Sequence, residues 1–189
     1  MRLSDNFFKA VEDYRYLLNR KYPYKPSLKL TADRYRLSGT ERTILLRGIL
    51  SDSEAEMRKA KKVMRIDREI LHIDLPNVIS TITNYHLGRF MFMGMDGFLR
   101  DDGENYPADH DSGFRNKSMS MISAFTKDRE VNCRIYINRV DDELTADITG
   151  IICTADGEII NRTPDRVFDL SYAVLNAAYR PSFLKLPVS

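Results

Sequence analysis

After residue 69 the chain repeats one pattern: a short apolar run, a polar break, then apolar residues spaced three and four apart. Runs that short suit buried strands, and the spacing that follows them suits amphipathic helices. The pattern predicts strands at 70–74, 89–93, 132–137, 150–153 and 166–168, and helices near 76–86, 112–127, 141–148, 157–161 and 169–179. Regular alternation of this kind calls for an α/β domain, a mainly parallel five-stranded sheet with helices on both faces.

The first such unit, Ile70-Leu71-His72-Ile73-Asp74-Leu75-Pro76-Asn77-Val78-Ile79, ends its apolar run in a carboxylate just before a helix begins. That places Asp74 at the C-terminal tip of a strand, the edge where open α/β sheets bind ligands. Two readings stay open. Asp74 or Asn77 caps the helix that holds Pro76 in its first turn, or Asp74 handles a metal, a sugar hydroxyl or a proton.

Residues 1–68 read differently. Phe7, Phe8, Val11, Tyr14, Leu17 and Leu18 lie along one helical stripe behind Ser4. Lys21-Tyr22-Pro23 stops that helix, a second runs through Leu28 to Tyr35, and Ser38-Gly39-Thr40-Glu41 opens a third. A fourth, polar helix starts at Asp52. The boundary expected from this change is a basic helical domain over 1–68 and an α/β domain over 69–189. Charge follows the same division, with 17 Lys and Arg against 9 Asp and Glu up to residue 68, and 12 against 18 beyond it. A basic arm on an acidic body is a cue for nucleic-acid contact, although solvated helix faces also collect Lys and Arg. Within the arm, Lys25, Lys29, Arg34 and Arg36 interleave with Tyr22, Tyr24 and Tyr35, as residues that stack bases and bind phosphates do. Tyrosines so spaced also close helix interfaces.

Several function classes lose ground on composition and motifs. No apolar run approaches a membrane span and the N-terminus lacks a secretory core, so a soluble, cytoplasmic protein without a membrane partner is expected. Cys133 and Cys153 sit inside apolar runs as buried thiols, and three scattered histidines argue against a His-rich metal centre. Gly94-Met95-Asp96-Gly97 has the spacing of neither a dinucleotide fingerprint nor a phosphate loop. Ser80, Ser112 and Ser118 lack a nucleophile-elbow context.

Carboxylates, in contrast, recur where predicted strands end: Asp74, Asp96, Asp141 with Asp142, and Asp156. Acids at successive strand tips converge on one sheet edge. Their mutual repulsion is relieved by a hard cation, Mg²⁺ or Mn²⁺, which in turn suits phosphodiester hydrolysis. Acidic caps and loops are the ordinary alternative. The irregular stretch from Asp96 to Asp111 has the length of a functional loop.

Tyr14-Arg15-Tyr16-Leu17-Leu18-Asn19-Arg20-Lys21-Tyr22-Pro23, with Asp33-Arg34-Tyr35-Arg36-Leu37-Ser38 and Glu41-Arg42, resembles the domain-of-unknown-function family four-three-four, whose members read YLLNRGYP and NRYRLS. Lys21 stands where that family has glycine. Ile73 to Ile79, Asp96-Gly97-Phe98-Leu99-Arg100-Asp101 and Thr154 to Ile160 extend the resemblance into the second half, which looks like a PIN or NYN nuclease domain. The likeness implies Asp74 as the first metal-binding aspartate, Asn77 as its companion and Asp156 as the aspartate after the fourth strand. Leu75-Pro76 replaces the expected glycine and aromatic, and the segment after Ile137 lacks the expected serine- and glycine-bearing loop.

Two functions are therefore expected. One is a metal-dependent nuclease acting on RNA, with Asp74, Asn77 and Asp156 in catalysis, Mg²⁺ or Mn²⁺ on Asp74, Asp156 and one of Asp96, Asp141 or Asp142, and the basic helices on the substrate backbone. The other is a nucleic-acid-binding or adaptor module that has lost its chemistry. Either is compatible with a homodimer.

Overall fold

The computed structural model describes residues 2–103, 112–137, 150–163 and 166–186. The helix expected at 141–148, with Asp141 and Asp142, lies outside the described residues. Two compact units are formed: one from residues up to Lys59, from Arg89 to Gly103 and from Phe183 onward, the other from Ala60 to Gly88 and from the described residues up to Ser182.

In the first unit, α1 (Asp5–Asn19) buries Phe7, Ala10, Val11, Tyr14 and Leu18 along its apolar stripe. Its C-terminus closes with the Lys21 amide on Leu18 O at 2.9 Å and the Tyr22 amide on Leu17 O at 3.1 Å. That closure needs a left-handed residue after the cap, and Lys21 supplies it with φ of 63°. The glycine expected there from the resemblance thus has a conformational reason. α2 (Tyr24–Arg34) and α3 (Gly39–Gly48) follow. Ser38 and Glu41 cap α3 reciprocally, and the same Glu41 carboxylate accepts the Ser4 amide at 2.9 Å and the Ser4 hydroxyl at 2.6 Å. One carboxylate therefore ties the starts of α1 and α3 together. α4 (Asp52–Lys61) begins against the end of α1, where Asn19 and Asp52 exchange hydrogen bonds of 2.8 and 3.0 Å and Arg15 Nε meets Asp52 at 2.6 Å.

A small sheet completes this unit's core. β2 (Met91–Met93) pairs antiparallel with β3 (Leu99–Asp101) and parallel with β7 (Leu184–Lys185). Phe92, Met95 and Leu186 join Phe7, Tyr14, Ile44, Leu45 and Ile49 in one cluster. Burying each such side chain is worth about 1.5–3 kcal/mol, so the two later chain segments contribute materially to the N-terminal unit. The strand expected at 89–93 is real, but it belongs here and not to the parallel sheet.

The parallel sheet accordingly has four strands among the described residues, not five. β4 (Cys133–Tyr136), β1 (Leu71–Asp74), β5 (Ile151–Cys153) and β6 (Val167–Phe168) lie in that order. Leu71 faces Cys133 on one side and Ile151 on the other, and Ile152 faces Val167. β1, β5 and β6 are buried throughout, which explains why their sequences are mostly apolar. Gly150 admits β5 beside β1, because a Cβ there would lie 2.5 Å from Ile70 O. α5 (Leu75–His86), α6 (Ser112–Lys127) and α8 (Leu170–Tyr179) pack on one another, while the short α7 (Gly157–Arg162) links β5 to β6. No helix among the described residues is long and apolar enough to cross a membrane.

Candidate functional site

Strand order defines a crevice before any side chain is considered. The chain leaving β1 next enters the sheet at β4, on one side, whereas the chain leaving β5 next enters at β6, on the other. Adjacent parallel strands whose connections diverge leave an opening at their C-terminal ends, the usual ligand site of such sheets. Here those ends are Asp74 on β1 and Thr154-Ala155-Asp156 on β5.

Five hydrogen bonds organise the opening. Thr154 Oγ1 donates to Asp74 Oδ2 at 2.8 Å, and accepts from the Asp156 amide at 3.0 Å. Asn77 Oδ1 accepts from the Ala155 amide at 2.8 Å, tying the first turn of α5 to the tip of β5. Asp156 Oδ1 accepts from the Glu158 amide at 2.8 Å, with a longer bond from Ile159. Asp74 is only 4% exposed. It occupies the N-cap position of α5 but makes no side-chain capping bond there. Its carboxylate is turned instead to the neighbouring strand, so the capping alternative applies to Asp156 and not to Asp74.

Asp74, Asn77 and Asp156 are thus brought to one crevice. Asp96 lies in the β2–β3 turn of the first unit, fully buried, with Oδ1 and Oδ2 held by Arg100 at 2.6 and 2.7 Å and Arg58 at 3.4 Å from Oδ2. Burial alone would raise its pKa; the two guanidinium groups reverse the shift and hold it below the ordinary carboxylate value. It acts as an internal counter-ion. Among the described residues no group of three or more His, Cys, Asp or Glu side chains is placed to share a metal. The expected nucleic-acid residues Lys25, Lys29, Arg34 and Arg36 are all exposed. Lys29 pairs with Asp33 at 2.9 Å, and Arg34 reaches Asp13 at 3.8 Å while lying over the Tyr35 ring.

Sequence reasoning missed Thr154 and Asp169. Thr154 stands two residues before Asp156, the spacing at which a hydroxyl accepts from a following amide, so the signal was present in Thr-Ala-Asp. Asp169 directly follows β6 as Asp74 closes β1, in the same apolar-run, carboxylate, helix order. It caps α8 through Oδ1, which accepts from the Tyr172 amide at 2.9 Å, and its Oδ2 lies 3.6 Å from Lys62 Nζ.

Fold and site define an α/β protein with a helical N-terminal region and a carboxylate-lined crevice at the switch point of its parallel sheet. Residues 6–61, from α1 to the end of α4, match the model of the family described as Protein of unknown function (DUF434). The chain is also similar to the uncharacterized protein MJ0935 of Methanocaldococcus jannaschii, 28% identical over 132 residues. That match covers 69% of this chain and 64% of the relative's length, so just under two thirds of the relative is spanned. No solved structure matches the chain.

The family motifs of the N-terminal region are chiefly structural in this setting. Asn19 starts α4, Glu41 joins two helix starts, and Arg42 closes the turn before α3 by donating to Leu37 O at 3.0 Å and to Asp33 at 2.8 Å.

Proposed function

We propose that the chain is a nuclease-like protein acting on RNA, with a PIN-like α/β domain whose chemistry is centred on Asp74. The observation that carries this reading is the Asp74–Thr154–Asp156 arrangement at the diverging strand tips. A buried carboxylate oriented by a hydroxyl is a group held in one geometry, the condition for ligating a metal or moving a proton. Asp156 Oδ2 has no hydrogen-bond partner among the described residues, which leaves an acceptor beside it.

The donors fit a hard cation: carboxylates, an amide oxygen and a hydroxyl suit Mg²⁺ or Mn²⁺, and Mg²⁺ characteristically uses one or two carboxylates with water completing its shell. Asp74 and Asp156 would hold it, and the ion would supply charge neutralisation at the scissile phosphate. Asn77 keeps α5 and β5 in register at the crevice, and Thr154 fixes the Asp74 carboxylate. Exposed Lys25, Lys29, Arg34 and Arg36 would bind the polyanionic backbone.

Asp74→Asn tests the reading: metal-dependent cleavage of single-stranded RNA disappears while the melting temperature moves by no more than a few degrees. Cleavage that survives the substitution removes Asp74 from the mechanism. The second reading, binding without turnover, is favoured by one observation: no third carboxylate joins Asp74 and Asp156 among the described residues. It expects salt-sensitive RNA affinity with no cleavage by the wild-type chain in either Mg²⁺ or Mn²⁺.

A further inference from the structure

The α/β unit contains a pocket of about 390 Å³ whose lining includes none of the residues bonded in the crevice, walled by residues 62–66, by Phe125 of α6 and Arg129 just past its end, and by one stripe of α8. Its formation follows from two local features. Residues 62 and 63 extend the sheet past β6, with the Val63 amide donating to Val167 O at 2.9 Å, and this fixes one wall. On the opposite wall α8 presents Ala173 and Ala177 one turn apart, and side chains that short leave a groove open.

The lining combines two chemistries. Phe125, Phe168 and Tyr172 offer ring surface, while Lys62, Arg65 and Arg129 bring three positive charges against the single carboxylate of Asp169. Asp169 is committed to the start of α8 and to Lys62, so it offsets one cation and leaves the pocket net positive. The rings are already in cation–π geometry, with Arg129 3.7 Å from the Phe125 centroid and Lys62 5.7 Å from that of Tyr172. A volume of this order lies within the range of small-ligand sites. Aromatic walls with guanidinium groups select a flat ring system carrying phosphate, since arginine binds phosphate through a planar fork and rings stack on bases.

We propose that this pocket binds a mononucleotide unit, its base against Phe168 and the Ala173–Ala177 groove and its phosphate on Arg65 and Arg129. The unit is either a free nucleoside monophosphate or the phosphorylated end of a strand. This goes beyond the Asp74 reading and does not rest on it, because the groups invoked make none of the crevice bonds.

Calorimetric titration of the full chain with AMP, 5′-phosphorylated tetra-adenylate, adenosine and inorganic phosphate tests it. AMP is expected to bind with one-to-one stoichiometry, at least tenfold more tightly than phosphate or adenosine. Equal affinity for AMP and the oligomer identifies a free nucleotide, and tighter binding of the oligomer identifies a strand end. Arg65→Glu with Arg129→Glu, both at exposed positions, is expected to weaken AMP at least tenfold. Ala173→Leu, which fills the groove, is expected to do the same; if that variant fails to fold, Ala177→Leu at an exposed position of the same wall replaces it. Asp74→Asn leaves AMP affinity unchanged. Phosphate binding as tightly as AMP, no AMP binding, or AMP affinity indifferent to the groove-filling variant overturns the proposal.

Discussion

Thr154 Oγ1 lies 2.8 Å from Asp74 Oδ2, joining the tips of two parallel strands whose connections diverge. The same oxygen accepts the Asp156 amide at 3.0 Å, so one hydroxyl aligns a buried carboxylate with the backbone that carries the second. Thr154→Val keeps the shape and deletes both bonds. If the crevice binds a cation, Mn²⁺ affinity should fall roughly 10- to 100-fold, the usual effect of losing such a partner. Thr154→Ser should restore most of it. Calorimetric Mn²⁺ titration of the two variants checks this, and equal affinity in wild type and Thr154→Val would show that the bond has only a structural role.

Asp96 predicts the opposite behaviour. Removing its charge breaks the ion pair of buried Arg100 and weakens the field at buried Arg58, which keeps Glu54 at 2.5 Å. Breaking a buried pair in this way typically costs about 3–5 kcal/mol, so Asp96→Asn should lower the urea midpoint sharply. Whatever folded fraction remains should retain wild-type Mn²⁺ affinity. Loss of metal binding in a fully folded Asp96→Asn chain would return this residue to the site.

Glu41 links stability to pH. Burial acts to raise its pKa, but the amide and hydroxyl bonds from Ser4 and Ser38 outweigh it and hold the group at about 2, against an ordinary value of 4.5. A depressed folded pKa means that the carboxylate stabilises the fold fully above pH 4.5, and that this contribution fades as pH falls toward 2. At neutral pH it amounts to roughly 2–3 kcal/mol by linkage. Denaturation curves between pH 7 and pH 2 should therefore converge for wild type and Glu41→Gln, with the variant weaker only at the upper end.

Lys21 holds a left-handed conformation at the close of α1. Lys21→Gly should raise stability by about 0.5–1 kcal/mol, since strain relief exceeds the extra chain entropy that glycine loses on folding. A lower melting temperature for the variant would count against this account of the position.

Salt provides a test of the basic residues. If Lys25, Lys29, Arg34 and Arg36 contact RNA phosphates, changing all four to Ala should weaken binding more than tenfold at physiological salt and flatten the dependence of log affinity on log salt by about three units. An unchanged slope would place the RNA contact elsewhere.

Local chemistry made much of this protein legible from its residues. The stripe Phe7-Val11-Tyr14-Leu18, the Ser38–Glu41 box and the apolar runs of β1, β4, β5 and β6 each carry their own periodicity or cap, so the elements appear within a residue or two of where the pattern puts them. The carboxylate at the end of β1 was legible for the same reason. Partnership between distant segments was not. Met91–Met93 reads as one more buried strand, and only the packing of Phe92, Met95 and Leu186 on α1 and α3 assigns it to the first unit. β3 and β7 are too short to produce a pattern of their own and exist because β2 offers them backbone partners. Likewise, Asp74, Asp96 and Asp156 look alike in sequence, each an acid after or near an apolar run. Tertiary structure separated them, because a carboxylate's role depends on what faces it: a threonine hydroxyl for Asp74, two guanidinium groups for Asp96 and the amides of a helix start for Asp156. Those partners lie 80 and 38 residues away for Asp74 and for Asp96 with Arg58, beyond the reach of any local pattern.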